Sequence, residues 1–274
     1  AQPQTDLTLI GSPAIVTGGA SGMGYEMARH LRAAGADVAI FDIKDAQEAA
    51  DRLNSEGGTH RAIDVGVDVA DEDSVRSGFD TVAKEFGAQP RILINNAAYN
   101  EIHRIVSTPL EAWRKILDVD LQGPFLAIRE FGRRFIEHDL KGGSIINTTS
   151  LNSVVSTAGL AAYNSAKAAL AMLTKTAALE FAELDVRVNA IAPSLTETPL
   201  AEGFFGESPE VPAAFVEQMP LGRVGRPDDI ARGILDANNI RHLRKAHHRI
   251  VSHVGNGAAR YVVQQRRQLD GLGH

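Results

Sequence analysis

Short apolar runs alternate along most of the chain with longer segments in which apolar residues recur at helical spacing. The apolar runs, which predict buried strands, cover residues 13–17, 37–42, 61–68, 91–95, 144–150 and 186–191. The segments of helical spacing lie at about 22–34, 45–55, 72–86, 109–138 and 158–182. Because strands and helices alternate, the pattern predicts an α/β fold in which a doubly wound parallel β-sheet is covered by helices on both faces.

The pattern weakens toward the C-terminus. Residues 193–227 lose periodicity and are rich in proline, so we expect a long loop that acts as a substrate lid. After Ile234 the chain is polar, basic and rich in histidine, and residues 261–263 are its best strand fragment. This atypical C-terminal segment, 235–274, is interpreted as a divergent tail or as a shifted or erroneous stretch of coding sequence. Since no linker or internal repeat interrupts the chain, residues 1–274 are predicted to form a single domain.

The helix predicted near residue 109 begins with a capping signal. Thr108, Pro109 and Glu111 have the order of an N-cap residue, a first helical position and the closing residue of a capping box. We expect one continuous helix from there to about His138.

Composition excludes several classes of protein. The chain contains no cysteine, which rules out disulfides, thiolate metal sites and cysteine nucleophiles. Its net charge of −6 argues against a nucleic-acid binder. No uncharged apolar run is long enough to span a membrane, and residues 1–10 lack the basic start and apolar core of a secretory signal. A cytoplasmic location is therefore expected.

Charge is spread unevenly between the tail and the remainder. Residues 235–274 carry seven Lys or Arg against two acidic residues, a net charge of +5, which leaves −11 on the rest of the chain. One hypothesis is that this tail binds an acidic partner. The same segment holds five of the nine histidines. No metal site is expected, because His247 and His248 would face apart on a helix and no carboxylate cluster joins them.

A glycine-rich turn follows the first predicted strand and opens the first predicted helix. It comprises Gly18, Gly19, Ala20, Ser21, Gly22, Met23 and Gly24. A strand, such a turn and a helix are the layout of a Rossmann-type dinucleotide site. Glycines permit the tight turn, and they let backbone N–H groups approach a pyrophosphate at the positive end of the helix.

Other strand ends carry groups suited to the same ligand. Asp42 ends the second strand, where a carboxylate accepts hydrogen bonds from the adenosine ribose and repels a 2′-phosphate. The alternative is an ordinary strand-end acid. Asp68 and Val69 end the third strand, where the carboxylate could meet the adenine amino group. Asn95 and Ala97 end the fourth strand in small residues that allow a ligand close to the backbone.

Tyr163 and Lys167 form a candidate acid/base pair. Four residues apart on a helix, they lie on one face. An unperturbed phenol titrates near pH ~10, and a cation one turn away lowers that pKa. The pair therefore suits proton transfer to or from an alcohol oxygen, although a Tyr and a Lys at this spacing also recur by chance.

With these motifs in place, residues 6–234 resemble the short-chain dehydrogenase/reductase family. The matching segments are 17–24 (TGxxxGxG in the family), 95–98 (NNAG), Ser150 thirteen residues before Tyr163, 189–193 followed by Thr198, and 222–230. Tyr163 would then be the general base of alcohol oxidation, and Lys167 would lower its pKa and bind the nicotinamide ribose. Ser150 would hold the substrate oxygen, as part of a substrate-binding group of Ser150, Asn152 and Tyr163.

The resemblance also implies a cofactor and an assembly. Pro193 and Thr198 would lie near the nicotinamide. Asp42, with no basic residue in the turn before it, indicates NAD rather than NADP. Helices at about 111–138 and 158–183 resemble those with which the family forms dimers and tetramers, so a homodimer or homotetramer is expected.

Three departures from the family pattern stand out. Asp120 replaces the Asn of a VNLxG segment that belongs to the family's proton relay, so we expect activity to be reduced or shifted in pH rather than lost. Ala98 and Ser194 replace glycines and are interpreted as tolerated. The family's last strand and its VDGG-like turn have only residues 269–271 as a counterpart.

The predicted function is NAD-dependent oxidation of a secondary hydroxyl to a carbonyl. The residues expected around the pocket are polar and favour a sugar, polyol or other hydroxylated small molecule; they are Tyr99, Asn100, Glu101, His103, Asn152 and Glu197. One alternative is a 3-oxoacyl thioester or general carbonyl reductase, which NADPH preference would favour. Another is a dinucleotide-binding protein without catalysis, which Asp120 and the tail would suit.

Overall fold

The central element is one twisted sheet whose strand order reverses in the middle. The computed structural model describes residue 9 and residues 11–202, 216–217, 219, 222–238, 249–255 and 258–264. The strands are β1 Ala14–Thr17, β2 Val38–Asp42, β3 Ala62–Gly66, β4 Ile92–Asn95, β5 Gly143–Thr148, β6 Val186–Pro193, β7 Arg249–Gly255 and β8 Ala258–Gln264. They lie in the order β3-β2-β1-β4-β5-β6-β8-β7. The first six pair in parallel, as the alternating pattern predicts.

Helices cover both faces of this sheet. They are α1 Gly22–Ala33, α2 Gln47–Ser55, α3 Glu72–Phe86, α4 Leu110–Leu117, α5 Gly123–Glu137, α6 Ala161–Glu180, α7 Pro199–Glu202 and α8 Pro227–Asn238. None of the helices in the described part of the chain is both long and apolar enough to cross a membrane.

Two apolar cores lie on opposite faces of the sheet, because successive strand residues point in opposite directions. Val16 and Ile40 pack with Leu31 of α1 and Ile230 of α8 in one core. The strand neighbours of those two residues belong to the other core, which includes Phe79 of α3 and Phe131 of α5. The near-continuous apolar strands are thus explained by burial on both sides.

The helix predicted at 109–138 begins differently from the prediction and is interrupted in the structure. Its N-cap position is Pro109, and the Thr108 hydroxyl donates to the Arg104 carbonyl oxygen at 3.0 Å instead of capping. The predicted capping box is therefore wrong. A π-helical turn at Asp118–Gln122 separates α4 from α5. Such turns are rare and are often found at functional sites.

The C-terminal segment contributes strands that the sequence did not predict. β7 and β8 form an antiparallel hairpin, and β8 pairs antiparallel with β6, with Tyr261 opposite Ala190. The 261–263 fragment does lie in a strand, but Arg249–Gly255 escaped prediction because an edge strand need not be apolar on both faces. Outside the described residues lie His242, His247, His248, His274, residues 269–271 and, from the predicted lid, residues 203–215, 218 and 220–221.

Candidate active site

The predicted site residues gather at one edge of the sheet. Because β1 to β6 are parallel, their carboxyl ends meet there, and the order reverses between β1 and β4. In sheets of this kind, ligands bind in the crevice at that reversal. The glycine turn follows β1, and the segment after β4 lies directly beside it.

The glycine turn has the shape of a phosphate cradle. Gly18 and Gly22 have φ values of +64° and +56°, a region that favours glycine. A Cβ on Gly18 would lie 2.8 Å from the Cα of Ala97, and one on Gly24 would collide with the Gly18 carbonyl oxygen. Ser21 occupies the N-cap position of α1 without a side-chain cap hydrogen bond. These features fit a dinucleotide pyrophosphate at the start of α1.

Two residues outside the predicted site set hold this turn against β4. The Thr17 hydroxyl accepts hydrogen bonds from the backbone N–H groups of Asn96 at 2.9 Å and Ala97 at 3.0 Å. The Asn96 amide donates to the carbonyl oxygens of Thr17 and Gly18. In the sequence, these two residues are marked only by their positions: Thr17 comes just before the glycines, and Asn96 comes just after Asn95.

Asp42 faces the glycine turn. Its Oδ2 accepts from the backbone N–H of Ala20 at 3.2 Å, and its Oδ1 accepts from that of Lys44 at 3.1 Å. A carboxylate has about four acceptor positions, so it retains capacity for ribose hydroxyls. Asp68 is exposed two positions beyond the end of β3, and its Oδ1 accepts from Ala70 N–H at 2.9 Å.

Thr198 reaches the other side of the turn. Its side chain lies about 3.5 Å from where a Gly22 Cβ would stand, and its hydroxyl accepts from the N–H of Ala201 at 3.2 Å. Pro193 is buried at the end of β6. Thr198 and Pro193 therefore border the crevice on the side of β6.

Three other predicted cofactor residues have side chains turned into the protein. Met23 packs against the α1 side of the core, and Val69 is buried against Gly123. The Asn95 amide donates to Asn147 Oδ1 at 2.8 Å, and Asn147 donates to the Thr174 hydroxyl at 2.8 Å. The Asn95 side chain is thus part of a buried polar chain, and only its backbone is left to meet a ligand.

Ser150 and Tyr163 approach each other from different elements. Ser150 follows β5, and its Oγ accepts from the Asn152 N–H at 3.1 Å. Tyr163 lies in the first turn of α6, and hydrogen bonding to the Ser150 side chain lowers the pKa of Tyr163. Asn152 donates to Asn164 Oδ1 at 2.9 Å, which ties the loop after β5 to α6. The predicted trio of Ser150, Asn152 and Tyr163 is therefore brought together.

Lys167 is held by groups from two further elements. Its Nζ lies 3.1 Å from Asp120 Oδ2 and 3.1 Å from the Thr148 carbonyl oxygen. Asp120 Oδ1 accepts from the backbone N–H of Tyr99 at 2.7 Å. Both charged side chains are almost completely buried, at 2% and 0% exposure.

The electrostatics differ from those expected for an isolated Tyr and Lys. Burial raises the pKa of Tyr163; Lys167 and Ser150 lower this pKa, Asp120 raises it, and the net direction is upward. Burial also raises the pKa of Asp120, against the opposing effects of Lys167 and the Tyr99 N–H. Burial lowers the pKa of Lys167, but Asp120 and Tyr163 outweigh it and the pKa rises. Lys167 thus lowers the Tyr163 pKa, as the sequence predicts, but burial and Asp120 outweigh this effect.

A group of polar side chains lies next to the start of α6. Glu101 accepts from the Tyr99 hydroxyl at 2.5 Å and lies 3.0 Å from His103 Nε2. The His103 hydrogen bond, followed by the Tyr99 one, lowers the pKa of Glu101. His103 forms an isolated β-bridge with Leu160, just before α6, and the Tyr99 ring packs on the same small apolar cluster as Tyr163. Three of the predicted pocket residues thus form one unit.

The other predicted pocket residues are less closely connected to this group. The Asn100 Oδ1 is buried without a hydrogen-bond partner in the described part of the protein. Glu197 is exposed, and its N–H donates to the Gly225 carbonyl oxygen at 2.9 Å.

A family of known sequences matches most of the chain. It is described as enoyl-(acyl carrier protein) reductase and matches residues 18–235. The cis-4-hydroxycyclohexanecarboxylate dehydrogenase of Sinomonas cyclohexanicum is 37% identical over 81% of this chain and 86% of its own length. The NADP-dependent (R)-specific alcohol dehydrogenase of Lentilactobacillus kefiri is 36% identical over 81% of this chain and 87% of its own length.

A similar solved structure is that of a short-chain type dehydrogenase/reductase from Mycobacterium marinum. It superposes with a TM-score of 0.78 at 30% identity, covering 85% of this chain and 90% of that one. The chain is therefore similar to known proteins both in sequence, over residues 18–235, and in overall fold.

Proposed function

Because this chain belongs to the short-chain dehydrogenase/reductase family, we propose that it is an NAD-dependent dehydrogenase that interconverts a secondary hydroxyl and a carbonyl. The observation that supports the proposal is that Ser150, Tyr163 and Lys167 come together near the carboxyl end of β5. These residues come from the end of β5 and from α6, and only the fold brings them to one crevice.

The chain's own residues account for proton transfer and substrate positioning. Tyr163 accepts the hydroxyl proton in oxidation and returns it in reduction. Ser150 donates its hydroxyl hydrogen to the substrate oxygen and stabilises charge that develops there. Lys167 stabilises the phenolate and offers an N–H to a ribose hydroxyl. A bound nicotinamide supplies the hydride acceptor or donor.

The cofactor is held by the glycine turn and by the strand ends around it. Backbone N–H groups from Gly18 to Gly24 suit the pyrophosphate. Asp68 would bind the adenine amino group, and Thr198 would lie near the nicotinamide end of the cofactor. Asp42 supports NAD over NADP, because its carboxylate would lie beside a 2′-phosphate and repel it. The Lentilactobacillus kefiri relative is NADP-dependent, so the proposal of NAD for this chain rests on Asp42.

The substrate we propose is a neutral sugar, polyol or similar hydroxylated molecule. Glu101 stays ionised at neutral pH because the hydrogen bonds from His103 and Tyr99 lower its pKa. An ionised carboxylate accepts hydrogen bonds from hydroxyls and disfavours a second carboxylate nearby. This argues for a neutral substrate rather than an acid like that of the Sinomonas relative.

The first test follows NADH formation and consumption by absorbance. NAD and NADP are compared over a panel of sugars, polyols and secondary alcohols, and the matching ketones are assayed with NADH. Turnover with NAD alone would support the proposal. Preference for NADPH with 3-oxoacyl thioesters would contradict it in favour of a carbonyl reductase, and NADH binding without any turnover would favour a non-catalytic protein.

The cofactor choice has its own test in Asp42→Ser. Removing the charge should raise kcat/KM for NADP roughly tenfold or more, since like-charge contacts cost several kcal/mol. Asp45→Ser, which removes an exposed carboxylate from the following loop, should leave the preference unchanged. An unaltered NAD/NADP ratio in Asp42→Ser would contradict the assignment.

Several broader predictions remain. We propose that residues 1–274 act as a single domain in the cytoplasm, that 193–227 supply the substrate lid, and that the chain forms a homodimer or homotetramer. The oligomer is supported by an exposed stripe on α6 without charged side chains, which consists of Ser165, Ala168, Met172, Thr176 and Leu179.

A further inference from the structure

The positive charge of Lys167 is balanced by the negative charge of a buried partner. The Lys167 Nζ lies 3.1 Å from Asp120 Oδ2, with the two side chains 2% and 0% exposed. An isolated charge is strongly disfavoured in such surroundings, whereas an amine and a carboxylate in contact stabilise each other's ionised forms. We therefore treat the two as an ion pair.

Aspartate suits the donors around this position better than asparagine would. Asp120 faces two donors, the backbone N–H of Tyr99 at 2.7 Å and the ammonium of Lys167 at 3.1 Å. A carboxylate offers one oxygen to each, while an amide has a single acceptor oxygen for both. The departure from the family's Asn thus fits its surroundings, and it places a negative charge beside Lys167.

That charge acts on Tyr163 through Lys167. The Lys167 Nζ lies 5.5 Å from the centroid of the Tyr163 ring, close enough to stabilise a phenolate. Asp120 opposes this effect because it lies against the same nitrogen. The uncharged Ser150 hydroxyl also acts on Tyr163, and the Tyr99 ring packs on the same apolar cluster. Lys167 comes from α6 itself, Asp120 from the turn between α4 and α5, and Ser150 from the end of β5.

We propose that Asp120 is a positioning residue whose ion pair with Lys167 keeps the Tyr163 phenol protonated at neutral pH. Carbonyl reduction is then the better-catalysed direction near neutral pH, and alcohol oxidation gains rate as the solution becomes alkaline. In reduction, the Tyr163 phenol would give its proton to the carbonyl oxygen, and a bound reduced nicotinamide would supply the hydride for the carbonyl carbon. The products are the alcohol, the oxidised cofactor and a phenolate that solvent reprotonates. This inference rests on the proposed function and adds the direction that the site favours.

The test titrates Tyr163 directly and needs no substrate. Phenolate absorbance is followed against pH in the wild type and in Asp120→Asn, and the same titration of each protein with Tyr163→Phe is subtracted. The subtraction isolates Tyr163 among the four tyrosines. In Asp120→Asn, Tyr163 should ionise about one pH unit or more below its wild-type midpoint, the size expected for removal of an adjacent charge.

The matched control is Asp118→Asn. It removes the same charge from the same π-helical turn, but Asp118 is only half-buried and lies outside the Lys167 pair. Its Tyr163 titration should match the wild type. If Asp120→Asn does not fold, Asp120→Ser carries the same expectation, because it also removes the charge. An unchanged or higher Tyr163 midpoint in a folded Asp120 variant overturns the proposal.

Kinetics provide the second measurement. In Asp120→Asn, the acid limb of the pH profile of kcat/KM for alcohol oxidation should move to lower pH. The alkaline limb of the profile for carbonyl reduction should move in the same direction. Both shifts should equal the shift of the Tyr163 titration midpoint. Limbs that stay in place while the titration moves would overturn the role in direction. A shifted titration in a protein without any turnover would refute the proposed function and support the charge effect of Asp120.

Discussion

At the scale of single residues, the site depends on groups whose chemistry is changed by their neighbours. Tyr163 is a phenol whose pKa burial raises, beside a lysine whose charge a buried aspartate balances. Ser150 is the uncharged member, and its hydrogen bonding lowers the pKa of Tyr163. Each residue can therefore be tested by removing one functional group.

Tyr163→Phe removes only the phenolic oxygen. We expect kcat to fall by about 10²–10⁴-fold or more, the usual contribution of a general acid/base, while NADH affinity stays within a few fold. Steady-state kinetics and fluorescence titration with NADH measure the two quantities.

Tyr25→Phe is the matched control for this change. Tyr25 is buried in α1, and its hydroxyl accepts a hydrogen bond from Arg52 at 2.8 Å. It belongs to the core on the face of the sheet opposite α6. Its loss should cost about 1 kcal/mol of unfolding free energy and leave kcat unchanged. Equal losses of kcat in both variants would show that Tyr163 has no special role.

At the scale of elements, a buried polar chain fixes α6 against the sheet. Asn95 on β4, Asn147 on β5 and Thr174 on α6 are joined by two hydrogen bonds of 2.8 Å, and the Thr174 hydroxyl donates to the Leu170 carbonyl oxygen. Since α6 also carries Tyr163 and Lys167, these hydrogen bonds fix the position of both residues relative to the sheet.

Asn147→Ala should destabilise the protein by about 2–4 kcal/mol, because it leaves the buried amide of Asn95 and one lone pair of Thr174 unpaired. Ser144→Ala provides a control on the same strand. The Ser144 hydroxyl is buried without a hydrogen bond to any described residue, so its removal should cost less than about 1 kcal/mol. Urea denaturation measures both free energies, and similar values for the two variants would contradict the role of the chain.

At the scale of the whole molecule, one face of α6 lacks the character of a solvent face. Its exposed stripe contains small and apolar side chains, with Met172 and Leu179 exposed by 59% and 52%. Surface helices of monomers usually carry charged residues there. The proposed homo-oligomer would bury this stripe.

The double variant Met172→Glu and Leu179→Glu tests that assembly. The two positions are seven residues apart and share a face. The wild type should sediment as a dimer or tetramer, and the variant as a smaller species. Ser77→Glu on the exposed face of α3 adds a charge elsewhere and should leave the sedimentation unchanged. A monomeric wild type would refute the oligomer.

Local pattern in the sequence was enough for the fold and for the types of residue at the site. The period of the apolar residues located the six parallel strands and most helix limits within a few residues, because burial on one or two faces imposes that period directly. The spacing of Tyr163 and Lys167 placed them on one face, and the glycines marked a turn that side chains would obstruct.

Only the tertiary structure decided which distant groups meet. Asp120 and Lys167 belong to separate helical segments, so neither their ion pair nor the upward pKa of Tyr163 follows from local pattern. The same holds for Asn95, whose strand-end position suggested a ligand and whose amide instead bonds to Asn147. Periodicity reports which face of an element is buried, whereas charge balance, desolvation and hydrogen-bond partners depend on what the fold places against that face.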